Sequence, residues 1–279
     1  MNIFIEGSIS SGKSYFLTQL TPPDNFIIHH EPIQNWGTDD INYLREFYHD
    51  PHKNAYPLQK AIYRSQCITF LEQIKNDNQS IHICERGPFS SLKVFCYLNI
   101  FLGNIRGEHR LELEEDFHNL MQNTSLDATI YFSTTPRTSY LRTQERQRID
   151  AKASYYYHYG IGIFYHNYIQ QLIHCNQKVV VINSDAPLED LVQFYDTLGN
   201  FLTTSSLLEL KWFFKTATAR HIGHCLTKTD LDKLIATRNR KRRTKQLIKQ
   251  IEPIFTFASK IVLIYSLYRL IRHLKIANK

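Results

Sequence analysis

The chain has 279 residues, 43% of them hydrophobic and 21% charged, the composition of a soluble globular protein with room for one large domain, or for one of about 200 residues plus an appendage. Its net charge of +7 is unevenly spread: 17 Lys/Arg and 4 Asp/Glu from residue 200 onward give +13, against −6 before it, which sets a domain over 1–199 apart from a basic segment over 200–279. Five cysteines, Cys67, Cys84, Cys96, Cys175 and Cys225, are odd in number and form no C-x-x-C pair, which argues against a disulfide framework or a zinc site and for a reduced, intracellular compartment.

The first apolar run, Ile3 to Ile5, predicts a buried strand, and nothing ahead of it has the length of a secretory signal or transit peptide. The run breaks into Gly7-Ser8-Ile9-Ser10-Ser11-Gly12-Lys13-Ser14, which meets every fixed position of G-x-x-x-x-G-K-[ST], with a helix predicted over Tyr15 to Leu20. This is the pattern of a phosphate-binding loop. Gly7 and Gly12 let the backbone turn its N–H groups around phosphate oxygens, Lys13 reaches the β and γ phosphates of ATP, and the Ser14 hydroxyl ligates Mg²⁺.

Four further apolar runs predict strands: Phe26 to His30, Ser80 to Cys84, Ala128 to Ser133 and Lys178 to Ile182. Helical stretches separate them, so the fold class is α/β, a parallel five-stranded sheet covered on both faces, with ligands beyond the carboxyl ends of the strands. The second strand ends in Glu31-Pro32, with Trp36 close behind. Glu31 is there either a surface carboxylate or a base for a hydroxyl that attacks the γ-phosphate, and Trp36 offers a flat wall for a ring. The third ends in Glu85-Arg86-Gly87, where the two charges are either an exposed ion pair or a Mg²⁺ carboxylate beside a bidentate phosphate ligand. After the fourth, Arg142, Arg146 and Arg148 read either as a solvated helix face or as a lid that neutralises the transferred phosphoryl group.

Taken in order, IEGSISSGKS, EPIQNW, EFYHDPHKNAYPLQ, CERGPFSSLKVF and YFSTTPRTSYLRTQERQR resemble the deoxynucleoside kinase family over residues 1 to about 199. The resemblance implies transfer of the ATP γ-phosphate to a deoxynucleoside 5′-hydroxyl, a Mg²⁺ cofactor and a homodimer. It makes Glu31 the general base, Glu85 the magnesium carboxylate and Arg86 the group near the 5′-oxygen, with Arg142, Arg146 and Arg148 as lid arginines. Gln59 matches the glutamine that reads the base edge, Tyr48 the tyrosine on the sugar 3′-hydroxyl, and Trp36 and Phe95 the walls of the base. Ser91 stands where thymidine-preferring members carry a small residue and others an acid, and Leu92 where the cellular enzymes pair an arginine with that acid. Both departures favour thymidine. Ala151 falls where a lid glutamate helps hold the 3′-hydroxyl, with Asp150 one residue off, and Gly87 replaces a serine or histidine.

Beyond Leu191 to Phe201, a closing helix of the first domain, the resemblance ends. Residues Arg238 to Lys245 carry six basic side chains in eight, the pattern of a nuclear-import signal, a nucleic-acid or anionic-lipid contact, or a solvated helix face. Ile254 to Ile271 is an apolar stretch interrupted by Lys260 and Arg269, suited to an interfacial helix or to packing on the first domain.

Overall fold

The computed structural model describes residues 1–246 apart from Asn78, together with Lys249; of Leu188 it describes the backbone alone. Strand β1 (Asn2–Gly7) runs into the phosphate loop and helix α1 (Lys13–Thr18), which begins at the motif lysine rather than at Tyr15. Strand β2 (Phe26–His29) is followed by helices α2 (Tyr43–His49) and α3 (Pro51–Cys67), the latter capped by Asp50 and started by Pro51 at its first position. A π-helical stretch, Ile68–Ile74, extends α3.

Strand β3 (Ile81–Glu85) leads into the short α4 (Pro88–Ser90), a π-helical turn Ser91–Cys96 and α5 (Tyr97–Phe101), then α6 (Gly107–Gln122). Strand β4 (Ala128–Ser133) precedes α7 (Pro136–Arg146), whose first turn is closed by Thr135 accepting from the Thr138 N–H, and α8 (Tyr155–His174). Strand β5 (Val179–Asn183), α9 (Leu188–Thr203) and α10 (Leu207–Ala217) follow.

All strands are parallel, in the order β2-β3-β1-β4-β5. β1, β3 and β4 are almost wholly buried, as a sheet covered on both faces requires. Because β1 is central and the chain crosses to β3 on one side and β4 on the other, the strand order reverses at its carboxyl end, where the phosphate loop emerges.

The outer edge of β5 is not bare. Residues 219–226 run beside it, the Ala219 N–H donating to Val179 O at 2.7 Å and the Leu226 N–H to Val181 O at 2.7 Å, which removes an open template for strand addition. The first compact unit accordingly spans Met1–Lys228 and a second begins at Thr229. In the second, residues 229–246 are helical and include the basic run, whereas Ile254 to Ile271 lies outside the described residues. Among the described residues no helix is long and apolar enough to cross a membrane.

Candidate active site

The loop between β1 and α1 is shaped by positive φ at Gly7 (150°), Ser10 (56°) and Gly12 (95°). At Gly7 a Cβ would come within 2.6 Å of Ser11 Oγ and 2.7 Å of Phe132 O, so the position admits glycine alone. Lys13 folds back inside the loop and donates to Gly7 O (2.9 Å) and Ser8 O (2.8 Å). Burial, with Arg86 adding, lowers its ammonium from 10.5 to about 7, so an anion beside it would restore its proton.

Helix α7 lies against this loop along one face. Ser139 Oγ donates to Ile9 O (2.6 Å), Thr143 Oγ1 meets Ser10 Oγ (2.8 Å) and Arg146 Nη1 donates to Ser10 Oγ (2.9 Å), at intervals of four and three residues. Arg142 does not face the same space: its Nη1 donates to Ser184 O (2.9 Å), beyond β5. Ser184 Oγ in turn donates to Ser11 O, tying the far side of the loop down.

A cavity of about 460 Å³ opens from the loop toward α2 and α3, the size of a small-molecule site. At its loop end stand Lys13, Ser14, Glu31, Glu85 and Arg86. Ser14 Oγ donates to Glu85 Oε1 at 2.5 Å. Burial would raise the Glu85 carboxyl, but Lys13 and the Ser14 hydroxyl outweigh it and hold it below its ordinary value. A hydroxyl and an ionised carboxylate side by side are hard oxygen donors, the set that suits Mg²⁺.

Arg86 Nε approaches Glu31 Oε1 to 2.8 Å, off the N–H axis, so the contact is an ion pair rather than an aligned hydrogen bond. Its guanidinium also lies 4.3 Å from the centroid of Phe95. For Glu31 burial is the largest influence and Glu85 adds to it, so despite Arg86 its carboxyl is raised above the usual range, the direction a general base needs.

The other end of the cavity is flat and apolar. Trp36, its Nε1 donating to Ser65 Oγ (3.3 Å), forms one boundary, and Phe95, on the π-helical turn, forms another. Gln59 is 1% exposed, and its Oε1 is buried without a partner although it borders the cavity. An unsatisfied buried acceptor at a cavity wall is the mark of a group waiting for a ligand donor.

Leu92, Ala151, Tyr48 and Gly87 change the sequence-based reading. Leu92 is fully buried among core side chains including Trp36 and Phe47 and does not reach the cavity; the residue beside Ser91 is Gln66, whose Nε2 donates to Ser91 Oγ at 2.8 Å. Gln66 is seven residues after Gln59 on α3, two turns along one face, a spacing legible in the sequence. Asp150, not Ala151, borders the cavity, as do Arg148 and Tyr157. Tyr48 does not line the cavity; its ring meets that of Tyr157 at 90° and 6.3 Å, while burial, Tyr157 and Asp150 keep its phenol neutral. Gly87 has an ordinary extended backbone, and glycine is required there because a Cβ would lie 2.5 Å from the Phe4 ring.

A family model described as deoxynucleoside kinase matches residues 3–205. Mitochondrial thymidine kinase 2 of Homo sapiens is 27% identical over 154 residues, 54% of this chain and 57% of that protein. Deoxycytidine kinase 2 of Gallus gallus is 26% identical over 240 residues, 72% of this chain and 90% of that protein. The thymidine kinase of Ictalurid herpesvirus 1 (strain Auburn) is 30% identical over 99 residues, 34% and 41% respectively. The match thus spans little more than half of the human protein and less than half of the viral one. Among solved structures, a deoxyadenosine kinase from M. mycoides with the products dCMP and a flexible dCDP superimposes with a TM-score of 0.60 at 21% identity, over 74% of this chain and all of that one. The same enzyme with bound dATP gives 0.59 at 19% identity, over 72% and 99%. At such identities the likeness is one of fold.

Proposed function

The chain belongs to the deoxynucleoside kinase family, and on that premise we propose that it transfers the γ-phosphoryl group of ATP to the 5′-hydroxyl of a deoxynucleoside, thymidine first among them. One observation carries the reading: Glu31, Arg86, Glu85 and Lys13 converge at the loop end of a cavity whose other end is a slot between Trp36, Gln59 and Phe95. In this scheme Glu31 takes the proton of the 5′-hydroxyl as its oxygen bonds to the γ-phosphorus, and the bond to the bridging oxygen breaks, leaving its electron pair on ADP. Arg86 steadies Glu31 and the incoming oxygen, while Lys13, the loop N–H groups, Arg146 and Arg148 balance the charge on the moving group. Mg²⁺ fits Ser14 and Glu85, and when bound it would add neutralisation of the β and γ oxygens.

Asp150 is the proposed partner of the 3′-hydroxyl; Tyr48, which does not line the cavity, backs Tyr157 there. Asp150 Oδ1 is buried and unpartnered, which supports its assignment. Gln59 reads the base edge. Ser91, held by Gln66, offers no carboxylate to an exocyclic amine, which favours thymine over cytosine or adenine. The carboxylates Glu31 and Asp150 border the cavity together with the cations Arg86, Arg146 and Arg148, so charge by itself does not choose between a nucleoside and its 5′-monophosphate. Comparing thymidine with its monophosphate as acceptors decides it: phosphorylation of the monophosphate alone would replace the proposal by a nucleoside monophosphate kinase.

The proposal includes a homodimer, tested by sedimentation. It also includes a reducing compartment, which all five cysteines being free supports. DNA-stimulated ATP hydrolysis would identify the basic run 238–245 as a nucleic-acid contact instead of a solvated face.

A further inference from the structure

Behind Arg86, away from the cavity, lies a carboxylate that phosphoryl transfer leaves unused. Glu6, near the carboxyl end of β1, is completely buried. Both its oxygens accept hydrogen bonds: Oε1 from the Gly87 N–H (3.1 Å) and Ser90 Oγ (2.9 Å), Oε2 from the Tyr165 hydroxyl (3.1 Å). Tyr165, on α8 and likewise enclosed, accepts from Arg86 Nη1 at 3.0 Å.

The direction of this chain is fixed by chemistry. A guanidinium has only donors, so the Tyr165 oxygen accepts from Arg86 and its own proton turns to Glu6. A buried carboxylate with three donors and a cation one residue away is compensated; without them it would be expensive to enclose. Burial nevertheless holds Glu6 up at about 7. Arg86 also sits at φ 66°, a left-handed backbone that a non-glycine residue keeps only where its surroundings fix it. Its N–H is held by Ile5 O at 3.0 Å, and its side chain is held by Glu31 in front, Phe95 at its face and Tyr165 behind.

We propose that Glu6 and Tyr165 are positioning residues: a buried relay from β1 through α8 fixes the guanidinium of Arg86 at the acceptor end of the cavity, and through it the direction of the Glu31 carboxylate. The consequence for turnover rests on the kinase reading; the geometry of the relay does not.

Two variants test it. Tyr165→Phe deletes one oxygen at constant shape, and Glu6→Gln sets a donor against donors. Each is expected to lower kcat about tenfold or more, as small misplacements of reacting groups do. KM for nucleoside and ATP should stay within about twofold, because the relay touches neither. The double variant should be no slower than the slower single one, since both cut the same chain. In ¹⁵N NMR the Arg86 Nε–H resonance should move in each variant. If the unsubstituted protein phosphorylates no deoxynucleoside, the kinase reading fails by itself, and the Arg86 resonance still decides the relay. If Glu6→Gln does not fold, Tyr165→Phe decides alone. A folded Tyr165→Phe protein with the Arg86 resonance unmoved, or with kcat unchanged in an active kinase, overturns the proposal, as would losses that multiply in the double variant.

Discussion

Glu31 Oε1 stands 2.8 Å from Arg86 Nε, so the proposed base and its neighbouring cation form one unit at the carboxyl edges of two adjacent strands. Replacing Glu31 with Gln keeps the shape and removes the proton acceptor. The expected loss is about 10² to 10⁴ in kcat with KM for the nucleoside little changed. Because the Glu31 carboxyl is raised above 4.5, activity should fall as pH drops toward a limb lying above 4.5, and that limb should vanish in the residual activity of Glu31→Gln. Equal turnover in the two proteins would remove Glu31 from the mechanism.

Lys13 gives a second, thermodynamic prediction. With its ammonium lowered from 10.5 to about 7, the free folded protein binds fewer protons than the unfolded chain between those values, and this group's contribution to stability rises with pH across that window. A nucleotide phosphate beside Lys13 raises its proton affinity again. ADP binding at pH 8 should therefore take up a proton, seen as a calorimetric enthalpy that varies with the ionisation enthalpy of the buffer. Lys13→Met should abolish the buffer dependence.

Base choice should follow Ser91. A carboxylate there can accept both from Gln66 and from an exocyclic amine, so Ser91→Asp should raise deoxycytidine relative to thymidine by about tenfold in kcat/KM. An unchanged ratio would remove the base assignment and leave the reaction class.

Leu92, fully buried in the core, should behave in the opposite way. Leu92→Ala is expected to lower unfolding stability by about 2 to 5 kcal/mol, measured by denaturant titration, with the ratio between bases unaltered.

The lid arginines should separate. Arg146, bonded to Ser10 of the phosphate loop, should on replacement by Ala lower kcat by about 10³. Arg142, bonded to Ser184 O, should affect KM for ATP more than kcat. Steady-state kinetics of the two variants distinguish these patterns.

Much of the fold was legible because the strands are short apolar runs with helices between them, the signature of a sheet buried on both faces. Two were read one residue early, from Ser80 and from Lys178, because Glu85 and Asn183 end the apolar runs while their backbones still pair in the sheet. The strip 219–226 beside β5 carries no strand pattern, containing His221, Gly223 and His224; two backbone donors tie it to β5, and Ala219, Ile222 and Cys225 pack against the core. In the site, Gly7 to Ser14 declared themselves through fixed spacing. Asp150 and Ala151 are neighbours, and the short helical turn Ile149–Lys152 decides which of them borders the cavity. Glu6 and Tyr165 left no signal, one embedded in an apolar strand and the other in a run of tyrosines, because their roles exist only where β1 and α8 meet.

The most direct measurement incubates the purified 279-residue protein with γ-labelled ATP, Mg²⁺ and each of the four deoxynucleosides in turn, beside its Glu31→Gln variant. Labelled thymidine 5′-monophosphate should form fastest with the unsubstituted protein and fall away in the variant. Label found in no nucleoside monophosphate, or found equally with both proteins, would contradict the assignment of this cavity to 5′-hydroxyl phosphorylation.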